Sequence, residues 1–320
     1  MDAPSVAIVL VNWNNLGDTL ECLGSLAGQD YAQYGVILVD NGSTDGSIET
    51  FRARPDVDFL ENGENLGIAR ANNVGIARAR ERGFDLVMLL NNDTVVAPDM
   101  LSRLVAVLES APGIGVVGPK MYYHAEPEVL WFAGGRVHPW RGDTSHVGYQ
   151  EKDRGQHDRQ GETDYVTSCC LLARTALFKE LGGIDPFYFI YFDETDFCLR
   201  AARAGYAVVY VPSARLWHKI SRSMGGMGSA RYWFQYMRSR AYFVGKLYPW
   251  PNKAVALACM CLWDTPRMLA HFAARAAWDR IPAFVRGLAQ GLAAGLEGGH
   301  ARDTGGSAAL SGKRPGGRGR

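Results

Sequence analysis

The sequence predicts an α/β fold: a mostly parallel central sheet flanked by helices, followed by a helical carboxy-terminal extension. Three observations predict it. Apolar runs rich in Val and Ile alternate with segments of helical period through about residue 120, the pattern of a parallel sheet covered on both faces. The runs end in clusters of Asn, Asp and Gly, at the strand ends where open α/β sheets place ligands. An Ala- and Leu-rich stretch over 263–295 supplies the extension.

Each element has its own signal. Residues 5–13 (SVAIVLVNW) are an almost unbroken apolar run, as a central strand requires. Over 18–29, Leu20, Leu23 and Leu26 recur every third residue and predict a helix, with Asp18 or Thr19 capping its start. Strands follow at 34–40, 57–62 and 84–93, separated by helices at 43–54 and 67–83. A helix at 97–112 carries Pro98 in its first turn, where its missing N–H costs nothing. A short strand at 113–119 closes this half. From 120 to 164 aromatics, His, Gly and charges mix without period and read as an extended surface excursion. Residues 164–212 then predict a strand, a short helix, an acidic loop opening a further helix, and a last strand.

Composition excludes several classes. Of 320 residues, 47% are hydrophobic and 21% charged, and the net charge is +1, so no basic field marks a nucleic-acid partner. Six Cys include no CxxC pair, and with no signal-like amino terminus a reduced, cytoplasmic setting is expected. No run approaches the roughly eighteen apolar residues of a membrane span. The dinucleotide fingerprint GxGxxG and the phosphate loop GxxxxGK[ST] are both absent.

Five clusters, and a set of basic residues after them, remain that can carry chemistry. "NWNN" (12–15), "DNGSTDGS" (40–47) and "ENGENLGIARANN" (61–73) close three successive strands. Each alone is ordinary turn chemistry; on one rim, their amides and carboxylates suit a base edge and ribose hydroxyls. "NND" (91–93) ends the fourth strand, and Asp93 reads either as a helix cap or as an oxygen ligand for a hard divalent ion. "FIYFDETDFCLR" (189–200) sets Asp193, Glu194 and Asp196 among apolar residues, which raises carboxyl pKa values and suits a general base. Asp196 also suits a structural pair with Arg200 at i,i+4, which leaves Glu194 as the better base. Farther on, His218, Lys219, Arg222, Arg238 and Arg240 offer contacts to diphosphate or a cation.

In this order and spacing, "VNWNN", "VDNGSTDGS", "GENLGIARANN", "LLNNDTVV" and "GGIDPFYFIYFDETDFCLRAARAG" resemble the inverting nucleotide-sugar glycosyltransferases of family 2, particularly the bacterial rhamnosyltransferase-like branch. The resemblance runs from about Val6 to Arg240. It implies a GT-A fold and a metal-dependent, inverting glycosyl transfer that builds cell-surface polysaccharide. Asn12 and Asp40 would contact the nucleoside, with Asn14, Asn41 and Asn92 beside them. Asn65, Arg70, Asn73 and Arg238 would position the donor. Asp93 matches the last carboxylate of the family's DxD-type motif, and His218 would support the cation, Mg²⁺ or Mn²⁺. Where the family has "ED" before x-Asp, this chain has "DETD". Position assigns the base to Glu194, with Asp193 as its substitute. Trp131, Trp140, Tyr188 and Tyr191 offer either an acceptor platform or, as readily for each, buried packing.

The implied organisation is a catalytic domain over 1–250, nucleotide-binding to 120 and acceptor-side beyond it. A helical extension over 251–300 follows, then a basic, Gly-rich tail over 301–320 expected to be disordered. The donor would be dTDP-rhamnose or a UDP-sugar. The acceptor would be a glycan or lipid-linked glycan, placing the protein in the cytoplasm or on the inner membrane face. Two alternatives stand beside this: a nucleotidyltransferase, and a nucleotide-sugar-binding protein without activity.

Overall fold

A computed structural model of the chain describes residues 3–220 and 228–299. The first half alternates as its sequence pattern requires: β1 (Val6–Asn12), α1 (Leu16–Leu26), β2 (Tyr34–Asp40), α2 (Ser47–Arg52), β3 (Val57–Glu61), α3 (Ile68–Glu81), β4 (Leu86–Asn91), β5 (Thr94–Val96), α4 (Met100–Glu109) and β6 (Ile114–Tyr123). The second half adds β7 (Leu130–Phe132), β8 (Gly135–His138), β9 (Asp143–His146), β10 (Gly161–Glu162), β11 (Cys170–Arg174), α5 (Thr175–Leu181), α6 (Asp193–Arg203) and β12 (Ala207–His218). Helices α7 (Ala230–Leu247), α8 (Asn252–Ala258), α9 (Thr265–Ala274) and α10 (Arg280–Gly299) complete it. A π-helical turn, Cys259–Asp264, joins α8 to α9 without leaving the helical backbone region.

Ten strands form one sheet in the order β10-β12-β6-β11-β4-β1-β2-β3, with β5 on β12 and β7 on β6. The β3-β2-β1-β4 block is parallel. β11 runs antiparallel between β4 and β6, so the sheet is mixed at its middle. Strand β1 is buried from Val6 to Leu10, as a run with two covered faces must be. Its register sets Asn12 opposite Asp40 and Val11 opposite Asn91, which gathers three polar strand ends on one edge. Helix α10 lies on α7 at backbone contact: a Cβ on Gly287 would fall 2.2 Å from the Phe234 carbonyl oxygen, and one on Gly291 2.3 Å from that of Arg238. The four-residue spacing of Gly287, Gly291 and Gly295 makes that approach sterically possible.

Several expectations need correction. Helix α1 begins at Leu16, so neither Asp18 nor Thr19 caps it; Asp45 Oδ2 instead accepts the Leu16 N–H across the loop at 3.0 Å. Leu20 faces solvent, and Thr19, Cys22, Leu23 and Leu26 form the buried stripe. The fourth strand stops at Asn91, leaving Asp93 in the turn before β5. The stretch from 120 to 164 is folded rather than a surface excursion: it extends β6, adds β7 to β10 and buries Leu130 and Phe132. Its anchor is Lys120, 1% exposed, whose ammonium pairs with Asp153 at 2.9 Å and with Asp158. Tyr188 is fully buried and cannot serve in an acceptor platform. The expected tail and Arg222 lie outside the described residues.

Candidate active site

The strand-end residues form a hydrogen-bonded net before any ligand is considered. Asp40 is fully buried; it accepts from Asn12 Nδ2 at 2.7 Å, the Ser43 amide at 2.8 Å and Ser43 Oγ at 2.7 Å. Asn12 Oδ1 accepts from Thr19 Oγ1 at 2.9 Å and from Asn92 Nδ2 at 3.1 Å, tying the ends of β1 and β4. Asn14, at φ 51, accepts the Thr44 amide at 2.6 Å, and Asn41 accepts from Asn62 Nδ2 at 2.8 Å. A buried carboxylate needs such donors to offset its lost hydration. These Asn and Asp side chains therefore shape the rim, with Asn14 exposed and Asn92 half-buried at its edge.

The acidic block is held by a different set of residues. Asn73 grips Ile184 from both sides, accepting its N–H at 2.9 Å and donating to its carbonyl at 2.6 Å. Arg70 donates to Pro186 O at 3.3 Å, and Arg238 donates to Phe187 O at 2.8 Å while its guanidinium lies 3.9 Å over the Phe187 ring. The Ile68 amide donates to Phe189 O at 2.7 Å, and Ser239 Oγ to Ile190 O at 2.8 Å. Asn65 closes the turn before α3 by accepting the Gly67 amide at 3.0 Å. Arg70, Asn73 and Arg238 thus clamp the segment from Ile184 to Phe187 between α3 and α7.

That segment ends in strain. Tyr191 and Phe192 have φ of 68° and 64°, a left-handed conformation that costs bulky side chains about 1 kcal/mol or more each. Helix α6 starts immediately afterward at Asp193. Asp193 is 1% exposed, and its Oδ2 is buried without a hydrogen-bond partner among the described residues. Burial first, and then the Asp193 charge, push the Glu194 carboxyl well above the usual range; burial likewise raises Asp193. Asp196 is different in kind. It is fully buried, accepts from Arg200 Nε at 2.6 Å and Tyr188 OH at 3.3 Å, and pairs with Lys246.

Asp93 is nearly buried and meets His218 Nε2 at 3.1 Å, because β12 pairs antiparallel with β5 and sets His218 against Thr94. His218 Nδ1 is buried without a partner among the described residues. Lys219 turns away, pairing with Asp18 at 2.7 Å and with Glu21. Aromatic rings connect this pair to the acids: Trp131 lies 4.5 Å from His218, His146 lies 4.8 Å from Trp131, and Tyr165 lies 6.2 Å from His146. Burial, followed by the charge of Glu194, raises the Tyr165 hydroxyl. Burial raises the Cys169 thiol well above its ordinary value, and the charges of both Asp93 and Glu194 reinforce it. The charges of Asp93 and Glu194 thus both reach this one buried thiol.

Sequence reading missed several residues here. Arg231 is exposed at the start of α7, its guanidinium 5.5 Å over Trp13 and 5.6 Å over Phe189. It bridges the β1 end to the acidic loop and presents a cation beside both. His146, pushed down to about 4 chiefly by burial, stays neutral and joins the aromatic wall. Tyr232 lies 5.5 Å from Tyr191 and stacks on Tyr236 at 5.7 Å. No motif marks these positions, because each is defined by a neighbour distant in sequence. A concavity of about 530 Å³, lined by Ala77, Arg80, Glu81, Thr175, Ala176 and Lys179, lies at the opposite strand ends and includes none of the candidate residues.

A mixed sheet with its polar site at the strand ends and helices added at the carboxy-terminal side defines a protein of the GT-A class. Four-fifths or more of the chain superposes on solved members in one case: a mannosyltransferase from Pyrobaculum calidifontis in complex with GDP-Man and Mn²⁺ has a TM-score of 0.56 at 19% identity, covering 90% of this chain and 87% of that one. GalNAc-T7 with UDP, GalNAc and Mn²⁺ has a TM-score of 0.59 at 18% identity, covering 76% and 50%. The family described as glycosyltransferase like family 2 matches residues 3–241, and the chain belongs to it. It is 29% identical over 223 residues to the N-acetylglucosaminyl-diphospho-decaprenol L-rhamnosyltransferase of Mycobacterium tuberculosis, across 63% of this chain and 72% of the relative. It is 32% identical over 241 residues to protein y4gI of Sinorhizobium fredii, across 69% of this chain but only 25% of that much longer relative.

Proposed function

We propose that the protein is an inverting glycosyltransferase that moves a sugar from a nucleoside diphosphate to a hydroxyl of a glycan or lipid-linked glycan. Rhamnose from dTDP-rhamnose is the first donor to test, and a UDP-sugar the second. The mycobacterial relative's name, which specifies rhamnosyl transfer to a decaprenyl diphosphate-linked sugar, supports this choice. The observation that carries the proposal is the half-buried Glu194 beside the buried Asp193 at the opening of α6, together with Asp93 paired to His218 at the strand ends.

Glu194, as the carboxylate, takes the proton of the acceptor hydroxyl. The freed oxygen forms the new bond to the anomeric carbon as the bond to the diphosphate oxygen breaks on the opposite face. The configuration inverts and the nucleoside diphosphate leaves. Asp193 keeps the base's proton affinity high, which favours proton removal late in the reaction. Arg231, held over Trp13 and Phe189, offers its charge to the diphosphate. The strained backbone at Tyr191 and Phe192 fixes the base where α6 begins.

Asp93 and His218 suit one divalent cation. No group of three ligating side chains occurs among the described residues, and Mg²⁺ or Mn²⁺ on a diphosphate needs only one or two protein ligands beside phosphate and water. Among the described residues the buried Nδ1 of His218 has no partner, which suits a ring that changes partner when a ligand arrives. Such an ion would neutralise charge on the departing diphosphate.

The test is release of nucleoside diphosphate from a panel of nucleotide sugars, with Mn²⁺ and a polyprenyl diphosphate-linked sugar. Glu194→Gln is expected to lower turnover at least about a thousandfold while keeping donor affinity within about threefold. Unchanged turnover would reject the base assignment. Donor binding with no turnover on any acceptor would favour the binding-protein reading.

A further inference from the structure

We propose that the outer face of the continuous helix from α8 through α9 docks on an anionic lipid bilayer. Helical period places Val255, Ala258, Leu262, Pro266, Ala270 and Ala274 along its outer side, all exposed. Large apolar groups dominate: Leu262 is 77% exposed, Trp263 66%, and Trp250 just before α8 73%. Trp278, just after α9, is 62% exposed. The inner side is already satisfied by Asn252, Ala256, Met260 and Phe272, which are buried. Tryptophan at a helix surface, apolar on its body and polar at its N–H, is suited to the lipid–water boundary.

Charge selects the partner. Arg267, His271 and Arg275 are exposed on or beside this face. The acid within α8 through α9, Asp264, turns inward to Arg240 Nη2 at 2.8 Å. Asp279 beside Trp278 offsets only part of the basic charge. An apolar strip edged with Arg fits anionic headgroups above acyl chains. No helix of the described residues is long and apolar enough to cross a membrane, so the contact is with the surface. At roughly 1.5 Å per residue the helix is about 35 Å long, enough for several lipids in a row.

The surface also neighbours the candidate site. Trp233 of α7 packs its ring 5.4 Å from Phe272 on the inner side of α9. Tyr232, the preceding residue, meets Tyr191 at the acidic loop. One turn of α7 therefore touches both the docking helix and the loop that leads to Glu194. A bilayer against α9 is therefore separated from the loop leading to Glu194 only by α7. The docking itself requires no turnover and stands apart from the transferase reading.

The experiment is sedimentation of the full chain with vesicles of phosphatidylcholine alone, and of phosphatidylcholine and phosphatidylglycerol in equal parts. The chain is expected to pellet with the anionic vesicles, with Trp fluorescence quenched by brominated acyl chains. The double variant Leu262→Ser/Trp263→Ser should lose about tenfold or more in partitioning. Arg267→Gln/Arg275→Gln should lose about tenfold on anionic vesicles and little on neutral ones. All four positions are at the surface, and an unchanged melting temperature verifies folding. No binding to anionic vesicles would overturn the proposal, as would a Leu262/Trp263 variant that pellets like the parent, the result if residues 301–320 alone bound lipid. A parent dimer that the same variant dissociates would instead assign the face to a second copy.

Discussion

Glu194 and Asp196 share one helical turn, yet only the removal of Asp196 should cost stability at neutral pH. Asp196→Ala takes away a fully buried carboxylate that accepts from Arg200 at 2.6 Å, pairs with Lys246 and receives the Tyr188 hydroxyl. Arg200 and Lys246 are themselves only 12% and 6% exposed. Removing one member of such a buried pair costs about 3–5 kcal/mol, since the abandoned cation keeps its desolvation penalty. Lys246 retains Asp185 at 2.6 Å, and Arg200 still donates to the Leu181 and Gly183 carbonyls, which holds the figure to about 4 kcal/mol. Glu194→Gln should cost nothing at neutral pH. The folded Glu194 carboxyl lies well above its ordinary 4.5, raised by burial and by Asp193. Between the unfolded and folded values the native state binds more protons, so stability falls as pH rises through that window. The amide carries no such penalty, so the variant equals the parent near pH 4 and matches or exceeds it at pH 7. Urea unfolding followed by far-ultraviolet circular dichroism reads both effects. A loss under about 1 kcal/mol for Asp196→Ala, or a loss above about 2 kcal/mol for Glu194→Gln, would refute this division of roles.

Further outcomes follow from the same contacts. As Glu194 gives up its proton, kcat/KM should rise with pH, with its acid limb above the ordinary carboxylate range near 4; a limb at or below 4 would deny the raised affinity. Asp93→Ala should raise the Mn²⁺ concentration for half-maximal donor binding about tenfold or more, measured by titration calorimetry. Equal metal response in both proteins would remove Asp93 from that role. Gly67→Ala should destabilise by about 2–4 kcal/mol in thermal unfolding, because φ is +80° and the new Cβ would fall 2.6 Å from the Phe189 ring. Asn12→Ala should cost about 2–3 kcal/mol, since Asp40, Thr19 and Asn92 each lose a partner; a cost near zero would mean water fills the net.

Much of this protein is legible along the chain. The Val/Ile runs of β1, β2 and β4 and the helical spacings between them determine the α/β alternation, because a strand buried on both faces admits little else. The motif order carries family membership, and the crowding of acids before "FCLR" marks α6 correctly. The segment from 120 to 164 was not legible. Its strands are two to four residues long beyond β6, too short for a period, and they are fixed by Lys120 reaching Asp153 and Asp158 and by pairing with β12 and β6. The spacing of Leu20, Leu23 and Leu26 misplaced the buried stripe of α1, since the neighbouring turn draws Thr19 inward to Asn12.

By itself, then, the sequence determined the layered fold and the candidate acids and amides, because hydrophobic period and local turn chemistry act between residues close in the chain. Tertiary structure alone decided their partners. Asp93 and His218 meet across 125 positions through the register of β5 with β12. Arg70, Asn73 and Arg238 hold the acidic loop, and Arg231 lies between Trp13 and Phe189. Only packing also turns Leu262 and Trp263 outward. Electrostatics and side-chain contact operate over a few ångströms of space, and linear order does not encode that distance.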